Sequence, residues 1–217
     1  MTWAAFETLL TGAGTTVALS LAGLAIGVPL GLALALIRWA RIPVADQLVA
    51  TYVSLVRATP LLTFVLFVFF VLPTMGLELD PVPAAIVTLA LNTAPFNCEI
   101  WRAGLTNFPR DQLEAAEACG MTRTLAFRRI VAPQLWRVCL GPLVSEMTIL
   151  LKATPAVAVI GVVEITRAAS RIGAATYDPL PPFLAATVIY TLLIAVIVQA
   201  QRVIEALIAR RYGYAAP

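Results

Sequence analysis

The sequence predicts an all-α membrane protein, a polytopic bundle of five transmembrane helices forming one domain over residues 1–217, and three observations predict it. Hydrophobic residues make up 60% of the chain and charged residues only 12%, about half the charge that covers a soluble domain. Lipid must therefore solvate much of the surface. Charge-free apolar runs of bilayer-spanning length recur along the chain. Basic residues, finally, gather between particular runs.

The spans follow in order. Residues Thr8–Ile37, Ala58–Leu77, Pro81–Cys98 and Pro179–Gln201 are free of charge, and about twenty apolar residues cross a bilayer core. A fifth span, Gln134–Lys152, carries Glu146 and ends on a lysine able to snorkel to the interface. The opening MTWAAFETLL has no basic n-region, so the first apolar segment is expected to remain as an anchor. Within it Gly23, Gly27 and Gly31 set small residues on one stripe for close helix approach, and Pro29 is placed to kink the helix. Val44, Leu48, Tyr52 and Leu55 or Val56 recur at helical spacing, predicting an amphipathic cytoplasmic lead-in to span two. Residues 153–163, ATPAVAVIGVV, are apolar but too short to cross and are expected to form a re-entrant or interfacial half-helix.

Orientation follows from the basic residues. An outside amino terminus puts twelve of the fifteen in the cytoplasm, Arg210 and Arg211 among them, and leaves only Lys152, Arg167 and Arg171 on or near the outer side. The carboxyl terminus is then cytoplasmic. The loop TMGLELD between spans two and three holds acids and no base, as an outer loop should.

The longest charged stretch, about residues 103–133, lies between spans three and four. Asp111 followed by Glu114 forms a capping pattern at a helix start, Gly120 suits a left-handed helix end, and Thr122 suits the cap of a second helix bounded by Pro133. The expected product is helix, glycine turn, helix. A basic helix-turn-helix can bind DNA, but one tethered within a few residues of two spans has no access to a duplex, so no nucleic-acid partner is expected. A connecting loop is the plainer alternative. Against it stands the small-residue face of Ala115, Ala116, Ala118 and Gly120, which fits close docking of a helix in a partner's groove.

Glu114, Ala115, Ala116, Gly120, Ile130 and Pro133 carry a spacing that resembles the EAA loop of permease subunits of bacterial ABC importers. Within that family the sequence is similar to the polar amino acid uptake group, which handles histidine, glutamate, glutamine, arginine and opines. RATPLL at 57–62, ALNTAPFNCEIWRAGL at 90–105 and LLKATPAVAVIGVVEI at 150–165 resemble that group's RGTPLL, ALNSGAYTAEIIRGGI and LLKDTSLVSVIGVPEL. The resemblance implies a second permease subunit, identical or a sister chain, two cytoplasmic ATPase subunits, an external substrate-binding protein and a bacterial inner membrane. It also implies that Glu114, Ala115, Ala116 and Gly120 couple the spans to the ATPase, with Glu114 either ion-paired to that partner or capping the turn. The chain has no GxxxxGK[ST] phosphate loop. It is expected to be no enzyme and to hold no cofactor, ATP and Mg belonging to the partner ATPase.

Substrate contacts are sought among polar residues inside the spans, which are costly there and face a pathway or a partner helix. Asn92 and Thr93 match the group's ALNS stretch, and Lys152 and Thr154 its LLKDTS stretch; these four are the pathway candidates. Asn97 and Glu146 are further intramembrane polar groups. Glu99 lies one turn before Arg102 and can pair with it, which sets a structural role beside substrate binding. Phe96, Ala153 and Pro155 stand where relatives commonly carry tyrosine, aspartate and serine, and Ala132 replaces a leucine. The lost carboxylate argues against holding a cationic side chain here, or marks the less polar half of a heterodimer. Cys98, Cys119 and Cys139 lie about twenty residues apart, with no histidine to complete a metal site, and read as packing residues. A secondary transporter or channel not driven by ATP is the rival class, disfavoured because no inverted repeat is visible.

Overall fold

The computed structural model describes residues 2–212, and side chains through residue 207; the side chains of Arg210 and Arg211 lie outside the described residues. The described chain is helical throughout its regular structure, with nine α-helices among the described residues. Helix α1 (Trp3–Trp39) is 37 residues long, about 55 Å at 1.5 Å per residue, which exceeds the thickness of a bilayer core, about 30 Å. Thr8, Thr11, Thr15, Thr16 and Ser20 each donate their hydroxyl to the carbonyl four residues earlier. Polar side chains are thereby satisfied within the helix itself, as lipid requires.

The long helix α4 (Pro81–Thr106) packs along α1 at the centre of the bundle. Gly23, Gly27 and Gly31 line the contact: a Cβ on Gly27 would sit 2.2 Å from Thr93 Cγ2, and one on Gly31 2.8 Å from the Ala94 carbonyl. Only glycine admits this approach. α4 runs two turns beyond the expected end of span three, so Glu99 and Arg102 ride on the same helix as Asn92 and Thr93.

The second expected span is two helices. α2 (Pro43–Ala58) and α3 (Leu61–Thr74) meet at 112°, because Pro60 has no N–H to continue the ladder and holds Thr59 in extended backbone. The lead-in is helical as expected, but Val44, Leu48 and Leu55 point outward and are exposed, while Val49, Val53 and Val56 are buried. Helix α5 (Arg110–Ala118) is followed by α6 (Arg123–Ala126), a π turn over Phe127–Val131 and α7 (Ala132–Ala153). Here the expected break at Pro133 does not occur. The wide turn closes through Ala132 N–H to the Phe127 carbonyl, so the proline ring is accommodated in the first turn of α7 and the rod continues from Arg123 into the membrane.

Residues 154–160 form a short 3-10 turn, with Thr154, Val157 and Ile160 buried, that Gly161 ends at φ +102°. An unexpected helix α8 (Ile165–Thr176) follows, capped by buried Glu164, whose carboxylate accepts from the N–H groups of Thr166 at 2.8 Å and Arg167 at 2.6 Å. Glutamate inside an apolar run gave no capping signal of the usual Ser/Thr/Asp/Asn kind. α9 (Leu180–Tyr212) runs along the outside of the bundle with few buried residues. Among the described residues three helical stretches are long and apolar enough to cross a membrane alone, α1, Arg123–Ile160 and Leu180–Leu207, and the bent α2–α3 pair is a fourth where it counts as one span. The core divides into three buried clusters, around Leu89 and Leu150, Trp101 and Leu135, and Leu9 and Ile165.

Candidate coupling helix and intramembrane polar groove

α5 closes with two carbonyl-satisfying bonds: Gly120 N–H donates to the Glu117 carbonyl at 2.9 Å and Met121 N–H to that of Ala116 at 3.0 Å. That pair is a Schellman ending, and it needs the left-handed conformation that Gly120 adopts at φ +74°. Thr122 then caps α6 by accepting from Leu125 N–H at 3.3 Å. The Asp111–Glu114 capping box does not form. The helix starts one residue earlier, with Pro109 at its N-cap and no side-chain cap bond, because Pro109 already sets extended backbone before Arg110. Glu114, Ala115 and Ala118 are exposed, whereas Ala116 is buried at 3%. Ala116 therefore packs inward against this chain's own helices.

At the same end of the bundle Glu99 accepts from two arginines, Arg102 at 2.6 Å and Arg38 at 2.5 Å, and Arg38 also reaches Asp46 at 3.2 Å. The network ties α1, α2 and α4 together. Neither Arg38 nor Asp46 was legible as a partner, since both lie far from Glu99 in sequence and only the packing of three helices joins them.

Toward the middle of the bundle Thr93 links two buried groups. Its hydroxyl donates to Glu146 Oε1 at 3.0 Å and accepts from Asn97 Nδ2 at 3.0 Å. Glu146 faces a groove of about 530 Å³ between α4 and α7, walled by Arg57, Phe96, Glu99, Ser145 and Ile149. The Arg57 guanidinium lies 5.4 Å above the Phe96 ring, a cation–π contact, so the ring that replaces a tyrosine offers its face instead of a hydroxyl. The groove thus presents one cation, carboxylates and apolar walls. Of the four pathway candidates only Thr93 reaches it, through Glu146. Asn92 is buried on α4 without lining the groove, Lys152 is exposed, and Thr154 is fully buried with its hydroxyl on the Leu151 carbonyl at 2.8 Å. Among the described residues no cluster of metal-ligating side chains occurs, and the three cysteines are free, Cys98 and Cys139 buried and Cys119 exposed.

Residues 27–210 match the family of binding-protein-dependent transport system inner membrane components. The chain belongs to this family. The permease is 36% identical over 197 residues to the octopine transport system permease protein of Rhizobium meliloti, covering 87% of this chain and 80% of that protein. It is 33% identical over 191 residues to the L-cystine transport system permease protein of Bacillus subtilis, covering 88% and 82%. Among solved structures, an amino acid ABC transporter superposes with TM-score 0.86 at 29% identity, covering 93% of the permease and 94% of that chain. The inward-facing methionine transporter MetNI shares the fold, with TM-score 0.78 at 21% identity and coverage of 95% and 99%. The permease is thus a membrane component of the bacterial inner membrane rather than a catalytic subunit.

Proposed function

We propose that the permease forms half of the pathway of an ATP-driven importer for polar amino acids or related compounds, and docks its ATPase through α5. One observation carries the reading: the capped α5 turns at Gly120 into a helical rod that runs from Arg123 to Glu146 and on to Ile160. Motion imposed at α5 reaches the groove through this rod, because a continuous helix moves as a unit where a loop would absorb the displacement. Glu114, Ala115 and Ala118 form the docking face, and Gly120 fixes the angle between docking helix and rod. ATP and Mg are bound by the two ATPase subunits, and an external binding protein delivers substrate.

Substrate is assigned to the groove. A zwitterionic amino acid carries one cation and one anion, which Glu146 and Arg57 complement, and the walls of Phe96 and Ile149 accept apolar stem. The relatives named above, an octopine and an L-cystine transport permease, support this class. Thr93 orients Glu146. Lys152 and Thr154 are not assigned to the pathway, since one is exposed and the other is internally bonded. The groove is closed by a second permease subunit, and five crossings, including α4, place the amino terminus outside and the coupling segment, about 103–133, in the cytoplasm.

The test is ATP-dependent uptake in liposomes holding the permease, its ATPase and its binding protein. Glu146→Gln should lower uptake at least tenfold while ATPase assembly persists. Uptake driven by an ion gradient without ATP would replace this reading with the secondary-transporter one.

A further inference from the structure

A second cavity, of about 630 Å³, opens at the α5 end of the bundle, between the end of α1, the start of α2, the end of α4 and the start of α5. Four arginines line it, Arg38, Arg41, Arg102 and Arg110, with Asp46 and Trp39. Arg38 and Arg102 are neutralised by Glu99 and Asp46. Arg41 and Arg110 have no ion pair among the described residues, so two uncompensated cations face one cleft. Arg41 moreover holds a left-handed backbone, φ +54°, where glycine or asparagine would be less strained. Two cations without an ion pair on one cleft, one of them on left-handed backbone, suit an anion.

The surroundings select the kind of anion. The outward apolar stripe of α2, Val44 and Leu48 with Leu55 further along, starts one helical turn after Arg41 and is exposed at 71%, 68% and 63%. Exposed Trp39 and Ile42 stand beside it. A charged cleft that continues into an apolar stripe matches an amphiphile, its phosphate in the cleft and its chains along α2. We propose that this cavity binds the phosphate group of an anionic phospholipid, held by Arg41 and Arg110. Basic clefts at the cytoplasmic boundary have this chemistry. The lipid's position beside α5 lets it hold the start of that helix against α1 and α2. This site is independent of the substrate groove and does not rest on the transport reading.

The test is native mass spectrometry of the full-length permease, and of Arg41→Gln/Arg110→Gln, with phosphatidylglycerol, with phosphatidylcholine of the same acyl chains, and with inorganic phosphate. The native protein should retain phosphatidylglycerol over phosphatidylcholine. The double variant should lose that preference by about thirtyfold, roughly fivefold per arginine, and Arg41→Lys/Arg110→Lys should keep most of it and report that folding is intact. Equal retention of both lipids by the native protein overturns the proposal, as does a preference unchanged in the glutamine variant. Retention of inorganic phosphate that displaces no lipid keeps the phosphate site and overturns the lipid as its occupant.

Discussion

Tyr52 shows how single residues answer backbone defects. Pro95 inside α4 has no N–H, which leaves the carbonyl of Leu91, four residues earlier, without its helical donor. The Tyr52 hydroxyl donates to that carbonyl at 2.7 Å. Tyr52→Phe should therefore destabilise the permease by about 1 kcal/mol, the lower end of the cost of an orphaned acceptor because this one is only partly buried, read as a lower unfolding midpoint in detergent. An unchanged midpoint would show that water replaces the hydroxyl. Arg38 is the other residue with long reach, since its guanidinium joins Asp46 of α2 to Glu99 of α4. Arg38→Ala leaves Glu99 with Arg102 alone, so added salt should weaken the variant's fold less than the native one; equal salt dependence of the two would assign the network no electrostatic role.

At the scale of elements, glycines decide contacts and angles. Gly27→Ala places a methyl 2.2 Å from Thr93 Cγ2, on a β-branched side chain that also holds Glu146 and Asn97. Thr93 must move. Lower stability and impaired uptake should appear together, and a variant with native uptake would separate Thr93 from the pathway. Gly120 carries a different demand. Nothing lies within 4 Å of a Cβ there, so Gly120→Val suffers from backbone strain at φ +74° rather than from a clash, while Gly120→Asn tolerates that conformation. Substrate-stimulated ATPase should fall in the valine variant and survive in the asparagine one; equal activity in both would remove the angle at Gly120 from coupling. Much of this segment is legible locally, because Gly120 and Thr122 act on neighbours within a few residues. The continuity through Pro133 is not, because a π turn depends on how the rod packs rather than on the proline itself.

Across the whole molecule, the two ends of the bundle differ in chemistry. Most of the arginines and the α5–α6 turn occupy one end, and the α8–α9 connection with 95% exposed Tyr177 the other. By the positive-inside asymmetry we propose that the first end is the cytoplasmic one. In a Cys119→Ser background, Tyr177→Cys should react with a membrane-impermeant maleimide in whole cells, and native Cys119 should react only after the membrane is opened. The reverse pattern would invert the orientation. α9 leaves most of its surface uncovered by this chain, as expected of a helix whose neighbour is lipid.

By itself the sequence determined the all-α membrane class, the α1 glycine stripe, the glycine turn at 120 and the adjacency of Glu99 and Arg102, since composition, helical periodicity and local hydrogen bonding act over short distances along the chain. Tertiary structure alone decided that Glu99 is shared with Arg38, that Ala116 packs inward, that Thr93 reaches Glu146, and that neither Lys152 nor Thr154 lines the groove. Those facts depend on which helix faces come together across α1, α4 and α7. Helix rotation and register are set by packing the whole bundle, and no stretch of sequence carries them alone.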